Sequence, residues 1–186
     1  MKYEVELKAW IDDWDAVKAR LHEECLFIRD FRKADRYFSR SGEPERETSF
    51  RVRLDNGGAI VTFKDKSLRD RMEYNQEREF TVDDAEAFVE LVERTGCRQY
   101  ASKVKEGLEF RYGGLTVELV RVEELGEFVE IEVMEESGRA ELHKRAAARI
   151  RAFLDLIGID PSRIEQRSYV SLLGRQKIGQ DRPGAR

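Results

Sequence analysis

The feature that most constrains this chain is a two-residue alternation of charged and apolar side chains that recurs along its length. In the opening segment Tyr3, Val5, Leu7 and Ala9 fall on one side, and Lys2, Glu4, Glu6 and Lys8 on the other. Side chains of an extended strand point alternately to its two faces, so the segment reads as a strand with one wholly charged face. The spacing returns at Arg51 and Arg53, at Lys64 and Lys66, at Glu73, Glu77 and Glu79, at Glu118, and at Glu130 and Glu132. A sheet of such strands must cover its apolar face and leave the charged one in water.

Helical spacing fills the gaps. Trp14, Val17, Leu21 and Cys25, preceded by Asp12 and Asp13 as candidate caps, predict a helix to about residue 24. Residues 27–38 read as extended, and 39–47, with Gly42 and Pro44, as a loop. The runs Phe50–Leu54 and Ala59–Lys64 flank Asp55-Asn56-Gly57-Gly58, a hairpin signal because Asn-Gly accepts positive φ. Residues 72–82 form a further strand with Glu73, Asn75, Glu77, Glu79 and Thr81 on one face. Asp83 and Asp84 then cap a helix through Ala85, Phe88, Val89 and Val92 that Gly96 ends. Three more strands are expected over 98–112, 114–122 and 127–134, a long amphipathic helix over 140–157, and a short helix over 168–173.

About eight strands in consecutive antiparallel pairs, interrupted by helices rather than alternating with them, predict an α+β fold. One domain is expected over residues 1–175, followed by a polar, flexible tail over 176–186.

Charge balance narrows the function. With 34 Lys and Arg against 38 Asp and Glu, the net charge is −4, without the basic excess of a general nucleic-acid binder. No apolar run reaches the ~18 residues needed to span a bilayer, so no membrane partner is expected. Cys25 and Cys97 lack metal-ligand spacing and read as reduced thiols of a cytoplasmic protein.

Two explanations of the charged faces stay open. An open antiparallel sheet with one wet face accounts for the alternation in the ordinary way. Alternatively the sheet closes with its charges inside, as an eight-stranded barrel around a polar tunnel, with the apolar faces packed on external helices. Lys and Arg in a tunnel suit a polyanion, and carboxylates beside them suit Mg²⁺ or Mn²⁺, so the mixture points to a metal-chelated phosphate chain.

At Glu4-Val5-Glu6-Leu7-Lys8 the chain carries the Glu-x-Glu-x-Lys pattern of a first strand and resembles the CYTH superfamily, the triphosphate tunnel metalloenzymes named for class IV adenylyl cyclases and thiamine triphosphatases. Further pieces follow in order: Asp35-Arg36-Tyr37-Phe38, Arg51-Val52-Arg53, Thr62-Phe63-Lys64, Glu77-Arg78-Glu79-Phe80, Thr116-Val117-Glu118, Leu125-Gly126-Glu127-Phe128 and Glu130-Ile131-Glu132. The opening run, Leu125–Phe128, Arg167-Ser168-Tyr169 and Leu172-Leu173-Gly174 look most like the class IV cyclase branch.

The resemblance implies a closed eight-stranded antiparallel barrel and an interior that binds triphosphate with Mg²⁺ or Mn²⁺. It implies Glu4, Glu6, Glu130 and Glu132 as metal carboxylates, and Glu4, Glu6 and Lys8 as the catalytic group. Lys8, Arg51, Arg53 and Lys64 would hold phosphate oxygens, and Glu77, Glu79 and Glu118 would be inward acids. One stretch departs from the family pattern: on the sixth strand, Ser102-Lys103-Val104-Lys105 lacks the expected Arg, and Lys103 and Lys105 are placed there as phosphate contacts. The implied activity is class IV adenylyl cyclase, ATP to cyclic AMP and pyrophosphate, in a homodimer. Inorganic tripolyphosphatase or thiamine or nucleoside triphosphatase is the alternative, and a nucleotide- or polyphosphate-binding module the non-enzymatic one.

Outside these motifs, His22 and His143 lie on helices without catalytic partners and read as surface or packing residues. Trp10 and Trp14 read as core or dimer surface, Gly57-Gly58 and Gly113-Gly114 as turns, and Lys144, Arg145, Arg149 and Arg151 as a solvated helix face or partners of acids such as Glu141. Tyr169 and Arg167 are left open, with packing as the simpler role.

Overall fold

The computed structural model describes residues 3–44, 49–55 and 58–180, without the side chains of Asp55 and of residues 175–180. Eight strands, β1 (Tyr3–Trp10), β2 (Leu26–Ser39), β3 (Phe50–Asp55), β4 (Gly58–Arg69), β5 (Met72–Val82), β6 (Arg98–Tyr112), β7 (Leu115–Val122) and β8 (Gly126–Glu135), carry the fold. The helices are α1 (Trp14–Glu24), α2 (Ala85–Arg94), α3 (Ala140–Leu156) and α4 (Tyr169–Gln180), with a 3-10 turn at Pro161–Arg163. The strands close in the order β1-β5-β4-β3-β2-β6-β7-β8, and every pair is antiparallel. Closure selects the barrel over the open sheet.

The apolar strand faces point outward, as the alternation requires. Val5, Leu7 and Ala9 of β1, Val117 and Leu119 of β7, and Val129, Ile131 and Val133 of β8 pack with Ile150, Phe153 and Leu154 of α3 and with Val17 and Leu21 of α1. A smaller outer cluster seats Val89 of α2 on Phe38, Val52 and Val61. A buried side chain of this size contributes roughly 1.5–3 kcal/mol relative to exposure, so these two clusters fix which strand face is inside. Asp13 and Asp84 cap α1 and α2, accepting from Ala16 N and Ala87 N. Gly107 has no substitute on β6, because a Cβ there would lie 2.0 Å from the Leu119 carbonyl oxygen of β7.

Several elements differ from the sequence reading. β4 runs on to Arg69, pairing with β5 down to Arg69↔Met72. α4 continues through Gln180 rather than stopping near Leu173; helix propensity is a weak prior, and Gly174 and Gly179 do not interrupt it. Arg149 and Arg151 are not simply solvated: they donate to the carbonyls of Gly113 and Asp70, tying α3 to two tight turns, while Lys144 pairs with Glu141 at 3.7 Å. His22 packs against Phe27 and Phe110, and His143 against Tyr3 and Tyr74. The free thiols Cys25 and Cys97 are half-buried. Lys2, residues 45–47 of the expected 39–47 loop, the Asn56-Gly57 turn and residues 181–186 fall outside the described residues, although Asp55 and Gly58 do pair as hairpin ends. Among the described residues, no helix is long and apolar enough to cross a membrane.

Candidate functional site

Because the pleat period is two, β1 must send Glu4, Glu6 and Lys8 inward once Val5 and Leu7 are outside. Cross-strand register aligns the neighbours: Glu6 opposite Glu132 and Glu73, Lys8 opposite Glu130, Lys64 opposite Glu77, and Asp35 opposite both Arg53 and Lys103. These side chains enclose a cavity of about 1340 Å³, to which every expected phosphate contact (Lys8, Arg51, Arg53, Lys64, Lys103, Lys105) contributes. Its volume exceeds the ~300–1,000 Å³ of common small-ligand pockets, which leaves room for a phosphate chain and hydrated cations together.

One part of this chamber is fully ion-paired. Asp35, 1% exposed, accepts both arms of Arg53 at 2.7 and 3.0 Å, the Tyr37 hydroxyl at 3.2 Å, and lies 3.0 Å from Lys103 Nζ. Burial alone would raise its proton affinity, but Lys103 and Arg53 outweigh it and hold the carboxyl well below the usual range. Beside it Lys105 bridges Glu118 at 2.7 Å and Glu130 at 2.5 Å, and Lys33 also pairs with Glu118. Against the cost of burial, Lys105 and Lys103 keep Glu130 strongly acidic, and Lys105 with Lys33 lowers Glu118. Lys8 and Lys66 share Glu73, at 3.2 and 2.5 Å.

The other part is short of positive charge. Glu132 is pushed up to about 7, by burial first and then by Glu118 and Glu6. Glu4 is raised well above the carboxylate range by burial, with Glu6, Glu77 and Glu132 adding to it and only Lys64, 3.7 Å away, opposing. Asn75 donates to Glu4 at 2.8 Å, and its own carbonyl oxygen is buried without a partner. Glu77 is 2.8 Å from Lys64, whereas Glu79 sits at the more open rim and accepts from Thr62 at 2.8 Å. Thr62 in turn accepts from Arg51 at 2.9 Å, and the Arg51 Nε is buried and unpartnered.

The four carboxylates expected as metal ligands therefore occupy two settings. Glu130 is committed to Lys105, whereas Glu4, Glu6 and Glu132 crowd together. Among the described residues, no three such groups already converge in a metal-ligating arrangement. Their chemistry nevertheless fits a hard divalent cation: buried carboxylate oxygens whose mutual repulsion a cation would relieve. Sequence reading missed Lys33 and Asp35 as interior charges, although both lie on the two-residue spacing Phe31-Lys33-Asp35-Tyr37. It also left open Tyr169, whose ring is inside the barrel with Lys103 Nζ at 4.9 Å and Lys8 Nζ at 5.5 Å from its centroid. Arg167 does not enter the chamber network; it pairs with Glu165, which also accepts from Trp10 Nε1 at 3.2 Å.

Comparison with known proteins is consistent with this geometry. The CYTH domain profile matches residues 2–169. A Methanocaldococcus jannaschii protein provisionally named adenylate cyclase is 25% identical over 176 residues, covering 92% of this chain and 98% of its own. A conserved hypothetical protein from Pyrococcus furiosus is 30% identical, covers 91% of this chain and 99% of its own, and superposes with a TM-score of 0.78. A Hippeastrum protein, proposed as an adenylyl cyclase and described as revealing a dominant triphosphatase activity, shares the fold at 14% identity and TM-score 0.67, with 96% of each chain covered.

Proposed function

We propose that this chain, which belongs to the CYTH domain family, is a divalent-metal-dependent enzyme that converts ATP to cyclic AMP and pyrophosphate. One observation carries the reading: within a single barrel interior, crowded carboxylates short of positive charge adjoin a wall of lysines and arginines. A metal-chelated triphosphate matches both halves at once, since the cation answers Glu4, Glu6 and Glu132 and the phosphate oxygens answer the bases. The provisional cyclase name of the Methanocaldococcus jannaschii relative favours ATP as substrate.

In this reading Arg51 is the readiest phosphate contact, because its buried Nε has no partner and a guanidinium can grip two phosphate oxygens. Arg53, Lys103 and Lys105 are positioned by Asp35, Glu118 and Glu130, so they enter the reaction already oriented. Lys8 and Lys64 stand on the boundary between bases and acids, where they can follow the chain toward the cation site. Glu4, Glu6 and Glu132 would hold Mg²⁺ or Mn²⁺, which supplies Lewis acidity at phosphorus and offsets charge on the leaving group. The ribose 3′-hydroxyl gives its proton to water as its oxygen attacks the α-phosphorus in line; the new bond to phosphorus forms as that to the bridging oxygen breaks, and pyrophosphate departs with its charge held by the lysines and arginines.

The same shell would serve attack by water on a terminal phosphorus, and the Hippeastrum protein illustrates that this fold also carries triphosphatase activity. Chromatography of products formed from ATP, and separately from tripolyphosphate, with Mg²⁺ or Mn²⁺ tests the choice. Cyclic AMP with pyrophosphate is the expected result. Orthophosphate from tripolyphosphate without cyclic AMP would replace the cyclase reading with the hydrolase one, and no turnover of either would leave a binding module. The homodimer belongs to the same proposal, and a monomer in sedimentation velocity would remove it.

A further inference from the structure

Tyr169 stands where two chemically different parts of the barrel interior meet. On β8 the inward positions run Phe128, Glu130, Glu132, and on β1 Lys8 is followed inward by Trp10. Phe128 joins Phe31, Val120, Val122, Leu172 and Tyr169 in an apolar cluster that fills one stretch of the interior, with the Trp10 ring tilted against Phe128 at 4.0 Å. The Tyr169 ring packs edge-on against Phe128 at 4.8 Å, so its apolar side faces this cluster. Its other side faces the charged chamber, with the ammonium groups of Lys103 and Lys8 over the ring.

The chain has several contacts that hold Tyr169 there. Ile164 bridges to Ala9, and Glu165 N donates to the Lys8 carbonyl at 2.9 Å, so the approach to α4 is paired with the free edge of β1. The Glu165 carboxylate then accepts from Trp10 and from Arg167. Only 7% of Tyr169 is exposed, it lines the cavity, and its hydroxyl has no hydrogen-bond partner at normal geometry. A buried hydroxyl left without a partner is costly, and such groups are normally satisfied by something. The Glu130 carboxylate faces this hydroxyl but is already held by Lys105 at 2.5 Å, and the nearby lysines can only donate, so an acceptor that the lysines also attract would complete the arrangement.

We propose that Tyr169 is a substrate contact: its hydroxyl donates to an oxygen of the same phosphate group that Lys8 and Lys103 hold. The inference rests on the triphosphate reading and adds a neutral, rigidly placed donor from the C-terminal segment to a set otherwise made of charged strand residues. Tyr169→Phe keeps the ring, its packing on Phe128 and both cation–π contacts while deleting only the donor. Calorimetric titration of the full chain with Mg²⁺-tripolyphosphate is expected to show binding weakened on the order of tenfold in Tyr169→Phe. Its melting temperature and the ionic-strength dependence of binding should be unchanged, because no charge is lost. Lys103→Ala, by contrast, should reduce the ionic-strength dependence. Equal affinity of Tyr169→Phe and the unaltered chain would overturn the Tyr169 contact alone. Absence of tripolyphosphate binding by the unaltered chain would overturn the triphosphate reading and this inference with it.

Discussion

The two halves of the chamber are built from the same residue types and behave oppositely. Around Asp35, Glu118 and Glu130 every carboxylate has an ammonium or guanidinium within ion-pairing distance, and all three are held acidic. Around Glu132, two residues along β8 from Glu130, and Glu4 on the adjoining β1, carboxylates face carboxylates and proton affinity rises. Composition cannot separate these regions; the register that sets which side chain lies opposite which does. The paired half is finished by the protein itself; in the proposed function a cation would finish the crowded half.

Removing a carboxylate from the paired half should have the largest effect. Asp35→Asn leaves Arg53 and Lys103 buried without their counter-charge, with an expected loss of about 3–5 kcal/mol in urea denaturation. A loss below about 1 kcal/mol would mean that the pairing is not structural. Next in size is Arg51→Ala, which should weaken tripolyphosphate binding by about 1.5–3 kcal/mol in calorimetry, the worth of a charge-assisted contact, with little effect on folding. The crowded half should respond with the opposite sign: Glu132→Gln relieves repulsion and is expected to stabilise the metal-free protein by roughly 1–2 kcal/mol.

The two halves should also differ in their response to pH. Glu132 has its folded pKa raised to about 7, so the folded state binds a proton there more tightly than the unfolded state does. Its destabilising effect is therefore absent at about pH 4 and grows as pH rises toward 7, a stability decrease of at most about 1.4 kcal/mol per pH unit. Asp35 acts in reverse: its depressed pKa stabilises the fold above about pH 4, the unfolded value, and that stability is lost only as pH falls further. Metal-free denaturation between pH 5 and 8 should thus show stability falling with pH, and saturating Mg²⁺ should flatten the slope. A flat metal-free profile would contradict the crowding.

Much of this arrangement was legible in the chain. The alternation of β1 and β8 put Glu4 and Glu6, and Glu130 and Glu132, on one face opposite Val5, Leu7, Val129 and Ile131, and put Glu73, Glu77 and Glu79 on one face of β5, but only closure of the barrel decided that those faces point inward. β2 was harder because it carries charge on both faces: Arg36 points out to Glu86 while Lys33 and Asp35 point in, so alternation alone did not distinguish them. Tyr169 was harder still. Its place depends on the 164–165 segment pairing with the edge of β1 more than 150 residues earlier, a tertiary contact that no local spacing encodes. Whether an acid was paired or crowded also escaped the sequence, since it depends on cross-strand register and burial together.

In the proposed function the crowded carboxylates take a cation and the paired bases take the triphosphate, as one unit. Calorimetric titration of tripolyphosphate with and without Mg²⁺, on the unaltered chain and on Glu6→Gln with Glu132→Gln combined, tests it most directly. Mg²⁺ is expected to strengthen binding to the unaltered chain at least tenfold, about 1.4 kcal/mol, and the double variant to lose this enhancement while still binding the anion. Equal enhancement in both proteins, or none in the unaltered chain, would contradict it.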